Sequence, residues 1–336
     1  MKTALFCLLV VAASTGCSSA PGGGSALSTP TPTAGTTAAT TDNATPTVAA
    51  STLSCRLPVI SPTTASDPVP GGWITFPGGR FERDPASLPI RLNAHVPSYD
   101  RAITGWLPVE YRYVAPSGTS YVLTQDASIP DPSAFYLIDV KTGTRRKVLS
   151  GDGPPQAPGS WTVVDFASAG IYLWSAGIQT VPGLWLLDPV MGTVRLVDGS
   201  HYWRMVDGGV AWALDPQGPG PGVEQAIYRL DLASGRVERW FQTDGSISML
   251  APDSNGHVLI DTGDDAASRL ALLVGPDQLR VLAVPPNFPK VADGYLRHPG
   301  VWLALRGGGL ALYTATEGVR VMTRAPDIFD VAGGCW

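Results

Sequence analysis

Residues 227–240 read IYRLDLASGRVERW, two short runs of alternating apolar and polar residues on either side of a turn from Asp231 to Gly235. Alternation with a period of two is typical of a β-strand that buries one face. In a short turn the Asp carboxylate accepts backbone N–H groups, and Gly takes the positive φ that closes a hairpin. The stretch therefore predicts a β-hairpin in which the Asp and the Gly serve the turn.

The same pattern recurs along the chain. It is clear at 136–149 and 184–197, where Asp is again followed four residues later by Gly, and weaker copies lie at 99–107, 270–284 and 310–323. The turn positions, which are 38, 49, 43, 43 and 40 residues apart, are Gly105, Gly143, Gly192, Gly235, Gln278 and Gly318. A period of about 40 residues is typical of four-stranded β-propeller blades. The 38 Gly and 31 Pro among 336 residues also disfavour a helical bundle.

The C-terminal residues 331–336, VAGGCW, repeat the start of an inner strand pair seen at 206–212, VDGGVAW, and no further strands follow them. We expect N-terminal strands at 72–79 and in the 99–109 hairpin to complete this blade, because closing the ring removes free sheet edges. The pattern predicts an all-β fold over residues 55–336, a six-bladed β-propeller with one blade shared between the N- and C-terminal parts. A two-sheet sandwich is the competing fold, and six evenly spaced hairpins count against it.

Two turns carry a family resemblance. Residues 115–118, APSG, and 251–256, APDSNG, resemble degenerate forms of the Ser-Pro-Asp-Gly turn in the TolB-like six-bladed β-propeller superfamily. The resemblance covers about residues 55–336 and implies that fold. Leu230 and Asp231 with Gly235 and Trp240 also resemble one quinoprotein repeat, but other blades have Leu149 and Val197 at the Trp240 position. A quinone cofactor is therefore disfavoured, and no cofactor is expected.

The N-terminus has the features of an export signal. Lys2 precedes an apolar run at 4–13 that is shorter than the ~20 residues needed to span a bilayer, so residues 1–16 are predicted to be a signal peptide. Residues 14–19, STGCSS, resemble the lipobox of bacterial lipoproteins, which implies lipidation of Cys17. The alternative is an ordinary signal peptide that leaves Cys17 as a free thiol.

Residues 17–54 are rich in Ser, Thr, Pro and Ala and contain no aromatic residue. Such a segment buries too little apolar surface to offset the entropy of ordering, so a disordered tether is predicted. Together these features predict an exported protein, held by a lipid anchor alone on the outer face of the bacterial cytoplasmic membrane or cell envelope.

Two cysteines remain after removal of the signal peptide and lipidation of Cys17. Cys55 begins the predicted propeller and Cys335 lies one residue from its end, so a disulfide would tie the two parts of the shared blade together. The alternatives are two buried thiols or a metal pair, although two Cys without nearby His supply too few ligands for structural zinc.

Catalytic motifs are absent from the sequence. There is no His-x-His, Cys-x-x-Cys, Gly-x-Ser-x-Gly or strand-to-helix phosphate loop. The four histidines, which share no repeat position, are His95, His201, His257 and His298. A net charge of -5 without a basic cluster disfavours nucleic acid as a partner. No catalytic or metal-binding residue is predicted.

Three acidic residues share one repeat position. Asp165, Asp207 and Asp293 come just after the predicted innermost strands, where they could form an acidic ring around the channel or cap the tight turns that follow. Capping is favoured, because the equivalent residues elsewhere include Ala115 and Ala251 and a ring with gaps is a poor cation site.

The longest predicted interior loops connect the second and third strands of several blades, at 125–134, 175–183, 215–226 and 261–268. Long loops on one face of a rigid scaffold often carry function. The candidate ligand-face residues are Asp126, Asp131, Asp215, Glu224, Asp261, Asp264 and Asp265. Because these loops carry acidic residues and no Lys or Arg, a neutral or cationic partner is favoured. The alternative is tolerated surface variation without a ligand.

Two function classes follow from these features. The first is a monomeric, non-catalytic propeller on the cell envelope that binds an unknown protein, peptide or small-molecule ligand at the channel mouth. The alternative is an extracytoplasmic propeller enzyme of the metal-dependent lactonase or sugar oxidoreductase type, whose site is assembled from scattered loops.

Overall fold

The computed structural model describes residues 53–61, 71–88, 96–124, 135–149, 161–175, 183–216, 225–263, 268–324 and 329–336. The predicted signal peptide, Cys17 and nearly all of the predicted tether lie outside these residues. No helix in the described part of the chain is long and apolar enough to cross a membrane.

The described residues form strands and one 3-10 helix, Tyr111–Tyr113. In chain order the strands are β1 (Cys55–Ile60), β2 (Gly71–Phe76), β3 (Arg80–Arg83), β4 (Ser98–Asp100), β5 (Gly105–Leu107), β6 (Ser120–Thr124), β7 (Phe135–Asp139), β8 (Arg145–Leu149), β9 (Trp161–Ala167), β10 (Gly170–Ser175), β11 (Leu184–Leu187), β12 (Val194–Asp198), β13 (Trp203–Asp207), β14 (Val210–Pro216), β15 (Gln225–Asp231), β16 (Val237–Thr243), β17 (Ser248–Pro252), β18 (Val258–Asp261), β19 (Leu270–Gly275), β20 (Gln278–Val281), β21 (Val291–Arg297), β22 (Gly300–Leu305), β23 (Leu310–Thr314), β24 (Gly318–Thr323) and β25 (Asp330–Val331).

These strands form six blades, as the repeat predicts. Blade 1 has the strand order β25-β1-β2-β3, blade 2 contains β6 to β8, and blades 3 to 6 contain β9–β12, β13–β16, β17–β20 and β21–β24. In blade 2 an isolated bridge between Val114 and Tyr121, preceded by the 3-10 helix, takes the place of a full inner strand. The all-β, six-bladed propeller is confirmed.

Blade 1 is the shared blade. Its inner strand β25 pairs antiparallel with β1 through Val59 with Val331 and Ile60 with Asp330. Further along, Arg56 and Trp336 exchange two backbone hydrogen bonds of 2.7 and 3.2 Å. A disulfide joins Cys55 to Cys335, whose Cα atoms are 5.7 Å apart although 280 residues separate them in sequence. The first and last strands of the propeller therefore close the ring within one blade.

One part of the predicted closure is wrong. The 99–109 segment does not belong to blade 1, because its strands β4 and β5 form a separate two-stranded sheet and β2–β3 is the outer hairpin of the blade. Trp106 packs with blade 1, whereas the next residue, Leu107, packs with the core of blade 2. Successive residues of a strand face opposite sides. The β4–β5 hairpin is thus a wedge between blades 1 and 2, and the turn at Gly105 is not one of the blade repeats.

The outer turns of blades 2 to 4 have the predicted chemistry. The carboxylates of Asp139, Asp188 and Asp231 accept backbone N–H groups within their own turns at 2.7 to 3.0 Å. These bonds lower the pKa of each carboxyl group. The glycines four residues later have φ of 68°, 70° and 73°, which L side chains rarely adopt. The three Asp residues are turn residues, as the sequence indicates.

Buried clusters join neighbouring blades. Trp302 of blade 6 is fully buried and stacks on Phe76 of blade 1, with ring centroids 5.4 Å apart. Trp212 of blade 4 lies in one cluster with Val258 and Ile260 of blade 5. Trp212 and Trp302 therefore pack between neighbouring blades.

Candidate functional site

The central channel contains a cavity of about 480 Å³. Its lining residues include parts of the inner strands of blades 1 and 3 to 6, residues 110–112 of blade 2 and residues 96–98 ahead of the wedge hairpin. All six blades therefore contribute to one site on the axis of the ring.

The cavity is strongly charged. It is lined by five acidic residues, Glu110, Asp165, Asp207, Asp293 and Asp330, and three basic residues, Arg112, Arg204 and Arg297. Arg112 forms an ion pair with Glu110, at 2.7 Å between Nε and Oε2. The guanidinium group of Arg204 lies 4.7 Å from the centroid of the Trp174 ring. When all eight groups are ionised, the lining has two more negative than positive charges.

Asp165, Asp207 and Asp293 combine the two roles considered from the sequence. Each carboxylate accepts the backbone N–H of the residue that follows it, at 2.7 Å for Asp293 and Gly294. All three also line the cavity. They are therefore local caps and members of an acidic group around the channel, to which β25 adds Asp330.

The surroundings make these acids hard to ionise. Burial deep in the ring and the charge of Asp207 raise the pKa of Asp165 to about 7, although the nearby Arg297 opposes the shift. Burial likewise raises the pKa of Asp207, Asp293 and Asp330. Removing a carboxylate from bulk water disfavours its charged form. The cavity thus holds four carboxyl groups whose pKa is raised above the ordinary value.

Tyr295 links two of the acids. Its hydroxyl group donates a hydrogen bond of 2.7 Å to Asp330 and also lies within hydrogen-bonding reach of Asp293. Burial raises the pKa of Tyr295 strongly, so the phenol keeps its proton. Because Asp330 belongs to blade 1 and Tyr295 to blade 6, this contact also joins the blades at the closure.

Arg297 is the basic group deepest in the site. It shares one face of β21 with Asp293 and Tyr295, because alternate residues of a strand point the same way. Its guanidinium group lies over the Tyr111 ring, 3.9 Å from the centroid, and Nη1 donates a 2.6 Å bond to the Leu296 carbonyl. Within the described residues its Nε has no hydrogen-bond partner and the side chain forms no ion pair. The guanidinium group is held in place without being neutralised by direct contact.

Asp215, one of the predicted ligand-face residues, is buried at the end of β14. Its carboxylate accepts the Tyr202 N–H at 2.8 Å and lies 2.6 Å from His201 Nδ1. These contacts hold the segment that precedes β13 against β14, and they leave the carboxylate engaged within the protein.

Asp261, at the end of β18, is also buried. It accepts N–H groups of Gly263 and Arg269 at 2.9 and 2.8 Å, and the hydroxyl of Ser268 at 2.8 Å. Lys290 Nζ lies 3.4 Å from the same carboxylate. The Asp261 carboxylate is therefore bonded to residues on both sides of the loop that follows it, Gly263 before and Ser268 and Arg269 after. The remaining predicted residues, which lie outside the described part of the chain, are Asp126, Asp131, Glu224, Asp264 and Asp265.

The predicted loops and the cavity lie toward opposite ends of the inner strands. Asp261 pairs with Ser248, the first residue of β17, and Ala213 pairs with Trp203, the first residue of β13. The loops after β14 and β18 thus leave from the end where the inner strands begin. The cavity lining follows β13 from Arg204 to its last residue, Asp207, and includes neither Asp215 nor Asp261. The structure does not bring the two sets of acids together.

Several cavity residues were not singled out from the sequence, among them Tyr295 and Arg297, the neighbours of Asp293 on β21. Asp293, Tyr295 and Arg297 alternate along β21, and polar residues on one face of an inner strand are a readable signal for a channel lining. Glu110 and Asp330 carried no such signal, because their place in the cavity depends on the 3-10 helix of blade 2 and on the closure.

Within the part of the chain that the structure describes, no group of three or more His, Cys, Asp and Glu residues is arranged to hold a metal ion. Two of the histidines each contact an aspartate: His201 contacts Asp215, and His257 Nδ1 lies 3.1 Å from Asp253.

Comparison with known proteins gives likenesses of fold. No protein-family model and no curated protein matches the sequence.

Among solved structures, TolB from Acinetobacter baumannii has a TM-score of 0.48 at 16% identity, over 84% of this chain and 65% of that chain. The putative TolB from Agrobacterium tumefaciens has a TM-score of 0.45 at 12% identity, over 83% and 91%. An oligogalacturonate lyase in complex with manganese has a TM-score of 0.47 at 12% identity, over 80% and 74%. The chain spans less than two thirds of the A. baumannii protein, and TolB β-propellers are among its structural neighbours.

Proposed function

We propose that this chain is an exported, lipid-anchored β-propeller that binds a small ligand with a positively charged group in its central channel. The observation that carries the proposal is the cavity of about 480 Å³ in which acidic residues outnumber basic ones. Its volume falls within the roughly 300–1,000 Å³ of small-molecule sites.

The energetics of the cavity support a binding role. Placing carboxyl groups where burial raises their pKa destabilises the empty protein at neutral pH, since each must either lose solvation or hold a proton. Perturbed acids gathered in one cavity are a feature of functional sites. A cationic group bound among them would stabilise their ionised forms and gain charge-assisted hydrogen bonds.

This proposal moves the expected site from the long loops into the channel. The loop residues Asp215 and Asp261 have their carboxylates engaged by protein groups. A ligand role for the rest of the predicted loop set stays a prediction. No observation in the described residues favours the alternative of a propeller enzyme, so that function is not proposed.

Binding is tested with probes that differ in charge. The full chain, purified in detergent, is titrated with putrescine, succinate and glucose, and the thermal unfolding midpoint is followed. We expect the amine to raise the midpoint and the Asp207→Asn variant to bind it about tenfold more weakly, since one charge-assisted hydrogen bond contributes about 1.5–3 kcal/mol. Asp188→Asn, on an outer turn, is the matched control and should bind like the wild type. Equal binding by Asp207→Asn and the wild type would place the site elsewhere.

The anchor is tested separately. The lipobox-like residues around Cys17 and the tether that follows support lipidation there. We expect a Cys17→Ser chain to be released as soluble protein, because a membrane anchor needs the acyl chains. Cys7→Ser, a change within the predicted signal peptide, is the control and should remain in the membrane fraction. A Cys17→Ser chain that stays in that fraction as tightly as the wild type would contradict the anchor.

A further inference from the structure

We infer that the ligand of the channel is a small zwitterion, whose anionic group binds Arg297 and whose ammonium group binds Asp165 and Asp207. This inference rests on the proposed function and names the chemical class of its ligand.

The first step concerns Arg297. Stacking on Tyr111 and one bond from Nη1 to the Leu296 carbonyl fix the guanidinium plane at the cavity wall. No ion pair neutralises it within the described residues, and its buried Nε lacks a partner there. A guanidinium group presents several N–H donors in a fixed fork that matches a carboxylate. An anionic ligand group would supply the acceptor that the protein does not.

The second step concerns the two nearest acids. Asp165 and Asp207 are the carboxylates whose charges act on Arg297, yet neither is close enough to form an ion pair with it. Each accepts a backbone N–H from the following residue. Their mutual repulsion helps to raise the pKa of Asp165 to about 7. An ammonium group between them would relieve this repulsion and donate hydrogen bonds to both.

The third step is the combination of the two charges. An amine without an anionic group would bring a second cation close to Arg297 and leave the guanidinium donors open. An acid without an ammonium group would reach Arg297 but meet the excess of carboxylates in the same cavity. A molecule with both groups places each charge against its opposite. Such differences between matched ligands are a source of specificity.

The test compares zwitterions with matched ligands that carry only one of the two charges. Isothermal titration of the full chain in detergent uses β-alanine, γ-aminobutyrate and ε-aminocaproate, which differ in the distance between the charges. Propylamine and butylamine lack the carboxylate, and propionate and butyrate lack the ammonium group. We expect one zwitterion to bind at least about tenfold more tightly than either of its single-charge analogues, because two charge-assisted contacts form instead of one.

Variants then assign the two charges. Arg297→Gln should lower the affinity for the zwitterion to that for the amine and leave amine binding unchanged or tighter. Asp207→Asn should weaken both ligands, and Asp188→Asn neither. If Arg297→Gln does not fold, Arg297→Lys keeps the charge without the planar fork and should still reduce the preference for the zwitterion. The comparison of matched ligands on the wild-type chain is decisive without any variant.

Each contrary result has one meaning. Equal affinity for amine and zwitterion would overturn the inference and leave the proposed function standing. Equal affinity for acid and zwitterion would overturn it as well, by showing that the carboxylates do not select the ligand. If only a simple amine binds, the zwitterion is excluded and the proposed function stands. If no probe of any charge binds, the proposed function itself fails.

Discussion

A chain with both Cys55→Ser and Cys335→Ser is expected to unfold on the order of 10 °C below the wild type. Loss of a disulfide that closes a long loop costs about 2–5 kcal/mol, and each kcal/mol shifts the unfolding midpoint of a large domain by about 2–4 °C. Here the bond closes a loop with a sequence separation of 280 residues. The strands that it ties together, β1 and β25, are paired at two positions. The disulfide is the covalent link in a closure that is otherwise held by backbone hydrogen bonds, such as those between Arg56 and Trp336, and by buried packing.

Thermal unfolding followed by circular dichroism measures the effect. Reduction of the wild type should reproduce the drop, and reduction of the double variant should change nothing further. Cys17→Ser is the matched control, because it removes a cysteine outside the propeller and should leave the midpoint unchanged. A double variant that unfolds within about 2 °C of the wild type would show that packing and backbone pairing close the ring unaided.

The second large effect is a fall in stability as the pH rises from 5 to 7. A carboxyl group whose pKa is raised in the folded protein binds more protons there than in the unfolded chain, so its stabilising effect is present in acid and is lost as the pH rises through the folded pKa. For Asp165 the window runs from the ordinary value of 3.8 to about 7. At about 1.4 kcal/mol per pKa unit, the decline between pH 5 and 7 is on the order of 2 kcal/mol.

Chemical denaturation at a series of pH values provides the measurement. Asp165→Asn removes the titrating group and should flatten the profile between pH 5 and 7. Asp188→Asn is the control. The backbone N–H groups of its turn lower the pKa of Asp188, so its titration changes stability only at about pH 3.8 and below. A wild-type stability that rises with pH, or an unchanged slope in Asp165→Asn, would show that the channel carboxylates do not govern this range.

The strands and outer turns could be predicted because their signals are local. In IYRLDLASGRVERW the alternation predicts the strands. The carboxylate of Asp231 accepts the N–H of Ser234 in the turn, and Gly235 has the positive φ, 73°, that such a turn needs. Neither feature depends on distant parts of the chain. The period of these hairpins then leads to the ring and to a blade shared between the ends.

The wedge hairpin could not be assigned in the same way. Two hairpins follow one another near the N-terminus, and both have turn signals, so either could complete blade 1. Distant contacts decide between them. Trp73 and Trp106 both donate their indole N–H to Asp84, at 3.0 and 2.9 Å, and the Tyr99 N–H binds the Ala332 carbonyl at 2.8 Å. These contacts hold β4–β5 beside the blade rather than within it.

For the site, the sequence placed three of the cavity acids at one repeat position but favoured a purely local role. A carboxylate that caps its own turn can still face a channel, and the pattern of residues does not separate the two roles. Arg297 was missed because its importance lies in the groups around it, Tyr111 from blade 2 and the acids of blades 3 and 4. These groups come from separate blades, and they surround Arg297 only once the blades form the closed ring.

The Cys55–Cys335 bond also has a mechanical consequence. Cys55 is the first residue of β1, the point at which the N-terminal segment enters the propeller, and Asp330 to Ala332 line the cavity on the strand that leads to Cys335. With the lipid anchor and the channel ligand proposed above, tension between the membrane and the ligand would run along this route. The force would pass through the Cys55–Cys335 bond instead of pulling β25 away from β1, so the closure of the ring resists mechanical separation.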